Sequence, residues 1–249
     1  MVNGRSFSPK LIAFDKDGTL VNFHHLWGQK TLRWVEAMVT QVGGDESLRV
    51  DLWRTLGFSQ VQNRVVPDGP VAVASNPKIY GVAAAVLYQH GLGWHQAEAV
   101  AHESGSRVFG ALPTADLIQP IGDVTGTMRR LHEADIRLAI ITSDDRLATQ
   151  ATLPLLGIRD YVDILVCGDD PLPNKPDPAG LLHVARTLGV ALDDMAMVGD
   201  TKSDILFGRN AGVGWCVGVV GGAGDEVILA ETADLLVHSI EAIKIDESE

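Results

Sequence analysis

A short apolar run, Leu11-Ile12-Ala13-Phe14, passes straight into Asp15-Lys16-Asp17-Gly18-Thr19, and no segment suited to pair with it follows until beyond residue 120. Four apolar residues between polar flanks read as a buried strand. From residue 123 onward the pattern alternates. Residues 123–134 are helical, 137–141 a strand, 147–156 a helix and 162–166 a strand. Residues 177–188 are a helix, 195–198 a strand, 202–210 a helix, and 214–220 and 234–237 strands. Strands that alternate with helices pair in parallel, because each crossover helix must lie on a face of the sheet. The expected fold is α/β, a doubly wound parallel sheet.

The block between the first strand and the rest is mostly helical. Residues 26–42 are periodic and stop at Gly43-Gly44. Asp45 can cap a second helix with Leu48, Leu52, Trp53 and Leu56 on one face. Pro67-Asp68-Gly69-Pro70 is a loop, Ser75 an N-cap for a helix to His90, and a further helix starts near His95. Short turns between helices predict a bundle. The expected architecture is a Rossmann-like core (1–22 and 118–249) with an inserted α-helical cap (23–117). Residues 21–23 and 112–120 would form the hinge. Trp27, Trp34 and Trp53 fall on helix faces as cap core, and His24 and His25 read as polar linker residues.

Charge narrows the partners. A formal net charge of −12 repels nucleic-acid phosphates and anionic membranes, so neither is expected. Two cysteines, Cys167 and Cys216, are too few for a disulfide scaffold and suit a reducing compartment. Residues 1–10 are polar, without the apolar stretch of a signal peptide, and no apolar run approaches membrane-spanning length. A cytoplasmic protein, monomer or homodimer, is expected.

Ligands of open parallel sheets bind beyond the carboxyl ends of the strands. Here those ends carry Asp15 and Asp17, then Thr142 and Ser143, then a loop with Lys175, then Asp200-Thr201-Lys202-Ser203-Asp204. Gathered carboxylates repel one another, and a hard divalent cation such as Mg²⁺ relieves them. The cation and a lysine ammonium can neutralise a phosphate monoester so that a carboxylate can attack it. A second carboxyl can protonate the leaving oxygen. Thr142 and nearby N–H groups can hold the phosphoryl oxygens.

Asp15-Lys16-Asp17-Gly18-Thr19-Leu20 resembles the first motif of the haloacid dehalogenase-like superfamily. Thr142, Lys175 and the Asp200–Asp204 stretch resemble its second, third and fourth motifs, in the family's order. The inserted helices are similar to the cap of its phosphoglycolate-phosphatase type. The resemblance implies a Mg²⁺-dependent phosphatase acting on a small phosphorylated metabolite through an aspartyl-phosphate. It makes Asp15 the nucleophile and a metal ligand, and Asp17 the acid/base with its carbonyl on the metal. Thr142, with Ser143, would bind the phosphoryl group and Lys175 would balance its charge. Asp200 would be the acidic metal ligand, and Asp204 would help hold the metal through water or a hydrogen bond. Asp17 speaks against the family's dehalogenases and phosphonatases, although Lys30 and Lys78 lie in the cap. Asn22 replaces an acid common in the family.

Plainer readings stand beside these. An Asp before Gly can be only a turn former. The spacing excludes an EF-hand. Asp144 or Asp145 can cap the next helix, as Asp177 can with Pro178 at the first helical position. Thr201-x-x-Asp204 has the form of a capping box. His90, His95 and His102 are not spaced for zinc. A phosphomutase of the same family, or a non-catalytic binding domain, are the alternative functions.

Overall fold

The computed structural model describes residues 8–67 and 69–244. Asp68, within the loop expected at 67–70, and the polar stretch through residue 7 lie outside the described residues. Two compact units result, one of residues 24–112 and one holding the remainder.

The first strand, β1 (Leu11–Phe14), is buried throughout. The chain then enters the helical unit: α1 (Phe23–Val42), α2 (Glu46–Leu56), the antiparallel pair β2 (Phe58–Ser59) and β3 (Arg64–Val65), α3 (Pro70–Val73), α4 (Asn76–Gln89) and α5 (Trp94–Phe109). Trp34 lies at its centre, with Nε1 donating to Ser104 Oγ at 3.0 Å and Ala101 O at 3.2 Å. The rings of Tyr80 and Phe109 meet it edge-on at 5.5 and 5.3 Å. An indole fully removed from water needs a partner for its N–H, and here it has two. The expected cap at Asp45 forms, accepting from Leu48 N at 3.1 Å. Ser75 occupies its N-cap position but makes no side-chain cap bond. His24 and His25 are helical rather than linker residues, because α1 begins at Phe23.

Past the insertion come α6 (Val124–Glu133), β4 (Arg137–Ile141), α7 (Arg146–Leu155), β5 (Ile164–Val166), α8 (Ala179–Leu188), β6 (Met195–Gly199), α9 (Lys202–Ala211), β7 (Trp215–Val219), α10 (Glu226–Thr232) and β8 (Leu235–Val237). The sheet is six-stranded and wholly parallel, in the order β5-β4-β1-β6-β7-β8. Strand β1 is thus interior, with Phe14 opposite Ile140 on one side and Val198 on the other. Its burial on both faces explains the unbroken apolar run. Leu11 and Ala13 join Leu181, Val184, Ile205 and Phe207 in one cluster, packing α8 and α9 on that face. Each such large side chain contributes about 1.5–3 kcal/mol.

The strand expected at 162–166 begins only at Ile164, since Arg159–Tyr161 form a tight 3₁₀ turn. The segments on either side of the insertion run together: Val21 bridges Pro120, and Asn22 Nδ2 donates to Gln119 Oε1 at 3.2 Å. Among the described residues no helix is long and apolar enough to cross a membrane.

Candidate active site

Strand order reverses at β1, the place where ligands of open parallel sheets bind, and β4 and β6 flank it there. Asp15 directly follows β1, and its N–H donates to Val198 O at 2.8 Å, extending the ladder by one residue. Thr142 follows β4 in the same way, donating to Val166 O at 2.9 Å. Asp200 follows β6 and Lys175 precedes α8.

Lys175 is the centre of charge. Its Nζ donates to Asp15 Oδ1 at 2.7 Å and to Asp204 Oδ1 at 2.6 Å, with its side chain 6 % exposed. Burial alone would lower the lysine, but the two carboxylates outweigh it and hold the ammonium firmly charged. Asp204 closes the expected capping box with one oxygen and meets Lys175 with the other. Its Oδ2 accepts from Thr201 N at 3.0 Å while its own N–H donates to Thr201 Oγ1 at 3.3 Å, which closes a capping box at the start of α9. The other oxygen faces Lys175.

Asp200 is fully buried and firmly oriented. Thr19 Oγ1 donates to its Oδ1 at 3.2 Å, and Ala223 N to its Oδ2 at 2.7 Å. Neither partner was legible in the sequence. Thr19 reads as a loop hydroxyl, and Ala223 contributes only its backbone. Gly18 takes φ +96°, and a Cβ on either Gly18 or Gly222 would fall on the Asp200 carboxylate. Gly222→Ala is therefore expected to displace Asp200 and weaken Mg²⁺ binding by about 10–100-fold, the usual loss when a ligand's supporting shell is disturbed. Titration of Mg²⁺ against Tm reads this, and an unchanged midpoint would show that the carboxylate is not held by this close approach.

A second charged group adjoins the first. Lys16, 1 % exposed, places Nζ 2.5 Å from Asp17 Oδ1 and 2.9 Å from Asp144 Oδ2. Asp144 therefore does not cap α7. Asp145 stands at the cap position but makes no side-chain cap bond, and Asp169 Oδ1 accepts from Arg146 N at 2.8 Å. Thr142 Oγ1 accepts from Asp144 N at 3.1 Å, while Ser143 is exposed. At α8 the cap position falls on Pro178, one residue later than expected, and Asp177 Oδ1 accepts from Ala179 N at 3.0 Å.

Asp15, Asp200 and Asp204 bring ligand atoms within 4.8 Å of one another, all three buried. Burial raises Asp15 to about 7, even against the pull of Lys175, with Asp204 and Asp17 adding to the rise. Burial and the charges of Asp15 and Asp204 likewise push Asp200 well up, against the Ala223 N–H and the Thr19 hydroxyl. One ammonium does not balance three buried carboxylates. The all-oxygen donor set fits a hard divalent cation. Asp17 lies outside this cluster.

The sign of the pH effect follows. A carboxyl whose folded value lies above its ordinary 3.8 favours the metal-free fold while protonated, and that contribution is lost as pH rises through about 7. Mg²⁺ is expected to raise Tm more at about pH 7.5 than at about pH 5. A Tm increment that shrinks as pH rises would contradict binding at these groups.

The haloacid dehalogenase-like hydrolase model matches residues 9–212. A Halalkalibacterium halodurans protein named pyrophosphatase PpaX is 38 % identical over 97 residues, which cover 39 % of this chain and 45 % of that one. A phosphoglycolate phosphatase of Pseudomonas fluorescens is 27 % identical over 229 residues, 92 % of this chain and 76 % of the relative. The chain spans about half the length of the curated relatives it matches at 34–38 % identity. A Haemophilus somnus structure, described as a predicted phosphoglycolate phosphatase, superposes with TM-score 0.68 at 20 % identity, over 95 % of this chain and 96 % of that one. That likeness concerns the fold. Because the matched span runs from just before β1 to the end of α9, and so takes in all the strand-end groups just described, the chain belongs to the haloacid dehalogenase-like hydrolase family.

Proposed function

We propose that this protein is a Mg²⁺-dependent phosphatase that hydrolyses a small phosphate monoester through an aspartyl-phosphate on Asp15. The observation that carries the reading is the buried Asp15 carboxylate, bonded at 2.7 Å to Lys175 and gathered with Asp200 and Asp204 at the end of the central strand. Asp15, Asp200 and Asp204, with the Asp17 carbonyl, would hold Mg²⁺, which when bound supplies positive charge toward the phosphoryl oxygens.

The remaining steps belong to the chain. Asp15 attacks phosphorus, the bond from phosphorus to the ester oxygen breaks, and Asp17 gives its proton to the departing alkoxide. Asp17 then takes a proton from water as that water attacks phosphorus, and the bond from phosphorus to Asp15 breaks. Inorganic phosphate leaves and both carboxyls return to their starting states. Thr142 and Ser143 bind the phosphoryl oxygens, and Lys175 holds Asp15 aimed while offsetting its charge. In this reading the helical insertion, residues 23–117, is the cap that selects the leaving group, in a cytoplasmic monomer or homodimer.

The names of the relatives suggest phosphoglycolate and pyrophosphate as the first substrates to try. Phosphate release from a panel of phosphorylated metabolites, with Mg²⁺ and with a chelator, tests the proposal. Metal-dependent release without a bisphosphate primer supports hydrolysis, and primer-dependent isomerisation of a sugar phosphate would replace it with a mutase.

A further inference from the structure

Lys16 is unexplained by the fold. It is 1 % exposed, in a loop of otherwise apolar or functional residues. Lysine is almost never fully buried unless paired, and an apolar residue of like volume in place of a buried ion pair is often neutral or stabilising. The ammonium must therefore be kept for something other than packing. Its surroundings say what. Asp17 Oδ1 lies 2.5 Å away and Asp144 Oδ2 2.9 Å away.

Asp144 is itself held on three further sides. Its N–H donates to Thr142 Oγ1 at 3.1 Å, its carbonyl accepts from Gly168 N at 2.9 Å, and its Oδ1 accepts from Asp145 N at 2.9 Å. The base of the lysine is also fixed, since Lys16 O accepts from Leu20 N at 2.9 Å and Val21 N at 3.0 Å. A rigid anchor at the end of β4 is thus joined through a rigid lysine to the Asp17 carboxylate, whose side chain is 12 % exposed and so within reach of a ligand.

We propose that Lys16 is the positioning residue of the acid/base: braced by Asp144, its ammonium fixes the Asp17 carboxyl in the orientation from which it hands a proton to the leaving oxygen. This rests on the role proposed for Asp17 above. It places Asp144 in the same unit and ties the acid/base to Thr142, the phosphoryl-binding hydroxyl, through one continuous set of bonds. Proton delivery depends on sub-ångström placement, so a loosened Asp17 loses rate without loss of the nucleophile.

The test is the ratio of two kcat/KM values, which report steps up to the first bond cleavage. One substrate is p-nitrophenyl phosphate, whose leaving group departs without a proton. The other is an alkyl phosphate, glycerol 2-phosphate, whose leaving group requires one. Because both rates scale with folded protein, the ratio is insensitive to partial unfolding. In Lys16→Met the alkyl ester is expected to lose about 100-fold and the aryl ester about 3-fold or less, the pattern expected of Asp17→Asn. Asp144→Asn keeps the ammonium and loosens its brace, and a skew of about 5-fold in the same direction is expected, readable even if Lys16→Met does not fold. Equal losses on the two esters, or a wild-type ratio in both variants, overturns the inference. If that happens while Asp15→Asn is inactive, the phosphatase reading stands. If Asp15→Asn hydrolyses both esters normally, or wild type hydrolyses neither, the reading beneath falls too.

Discussion

Replacing Asp15 by asparagine is expected to lower phosphate release by about 10⁴-fold or more, because on the proposed mechanism the amide cannot form the aspartyl-phosphate that would divide the reaction into two steps. The same change is expected to leave the metal-free protein as stable as wild type, or more so. Burial is the largest influence on Asp15 and has already raised it to about 7, so the fold tolerates a neutral group there better than a charged one. Lys175 keeps Asp204 at 2.6 Å. Phosphate release and Tm, measured together without and with Mg²⁺, separate the two effects. Undiminished turnover would remove Asp15 from the mechanism. Lost turnover with a collapsed Tm would instead make its role structural.

Lys175→Met is expected to cost on both scales. It leaves Asp15 and Asp204 without their shared ammonium in a buried site, which destabilises by about 3–5 kcal/mol. For a domain of this size that lowers Tm on the order of 10 °C. Unpaired buried carboxylates must take up protons, so the loss is larger at about pH 8 than at about pH 5. Release of phosphate is expected to fall about 10³-fold even where the variant is folded, since the positive charge beside the attacking oxygen has gone. Equilibrium unfolding at the two pH values, alongside turnover, checks this. A variant equally stable at both would show that Lys175 does not balance the cluster.

Much of the site was legible because parallel-sheet geometry turns a list of strand ends into a place. Asp15, Thr142 and Asp200 each stop an apolar run, so one topological rule brings them together. Lys175 and Asp204 could be named from their place in the motif order, yet the sequence left open whether Asp204 only caps a helix or also serves the metal site. The structure puts one oxygen in the capping box and the other on Lys175. The partners of those groups were hidden for physical reasons. Ala223 reaches Asp200 with a backbone N–H, which leaves no trace in residue type. Lys16 drew no reading of its own between two aspartates, and only its burial reveals its bonds. Either Asp144 or Asp145 was expected to cap a helix because caps are local, whereas Asp144 pairs with Lys16 from another strand end. Of the elements, the two-residue strands at Phe58–Ser59 and Arg64–Val65 are too short to carry an alternating pattern, and α10 lies in a stretch where the strands on either side dominate the signal.

Strand β1 comes early in the chain and lies in the middle of the sheet, and its pairing has a consequence during synthesis. Leu11 aligns with Arg137 on one side and with Met195 on the other. As the chain emerges from a ribosome, the segment bearing Asp15 has no strand to pair with until β4 has been made, and its other edge stays open until β6 follows. Residues 24–112, which lie between β1 and both neighbours in the chain, keep their contacts within one compact unit. Closure of long loops is slow and late. Asp15, translated before both strands that flank it, is then enclosed only after they are complete.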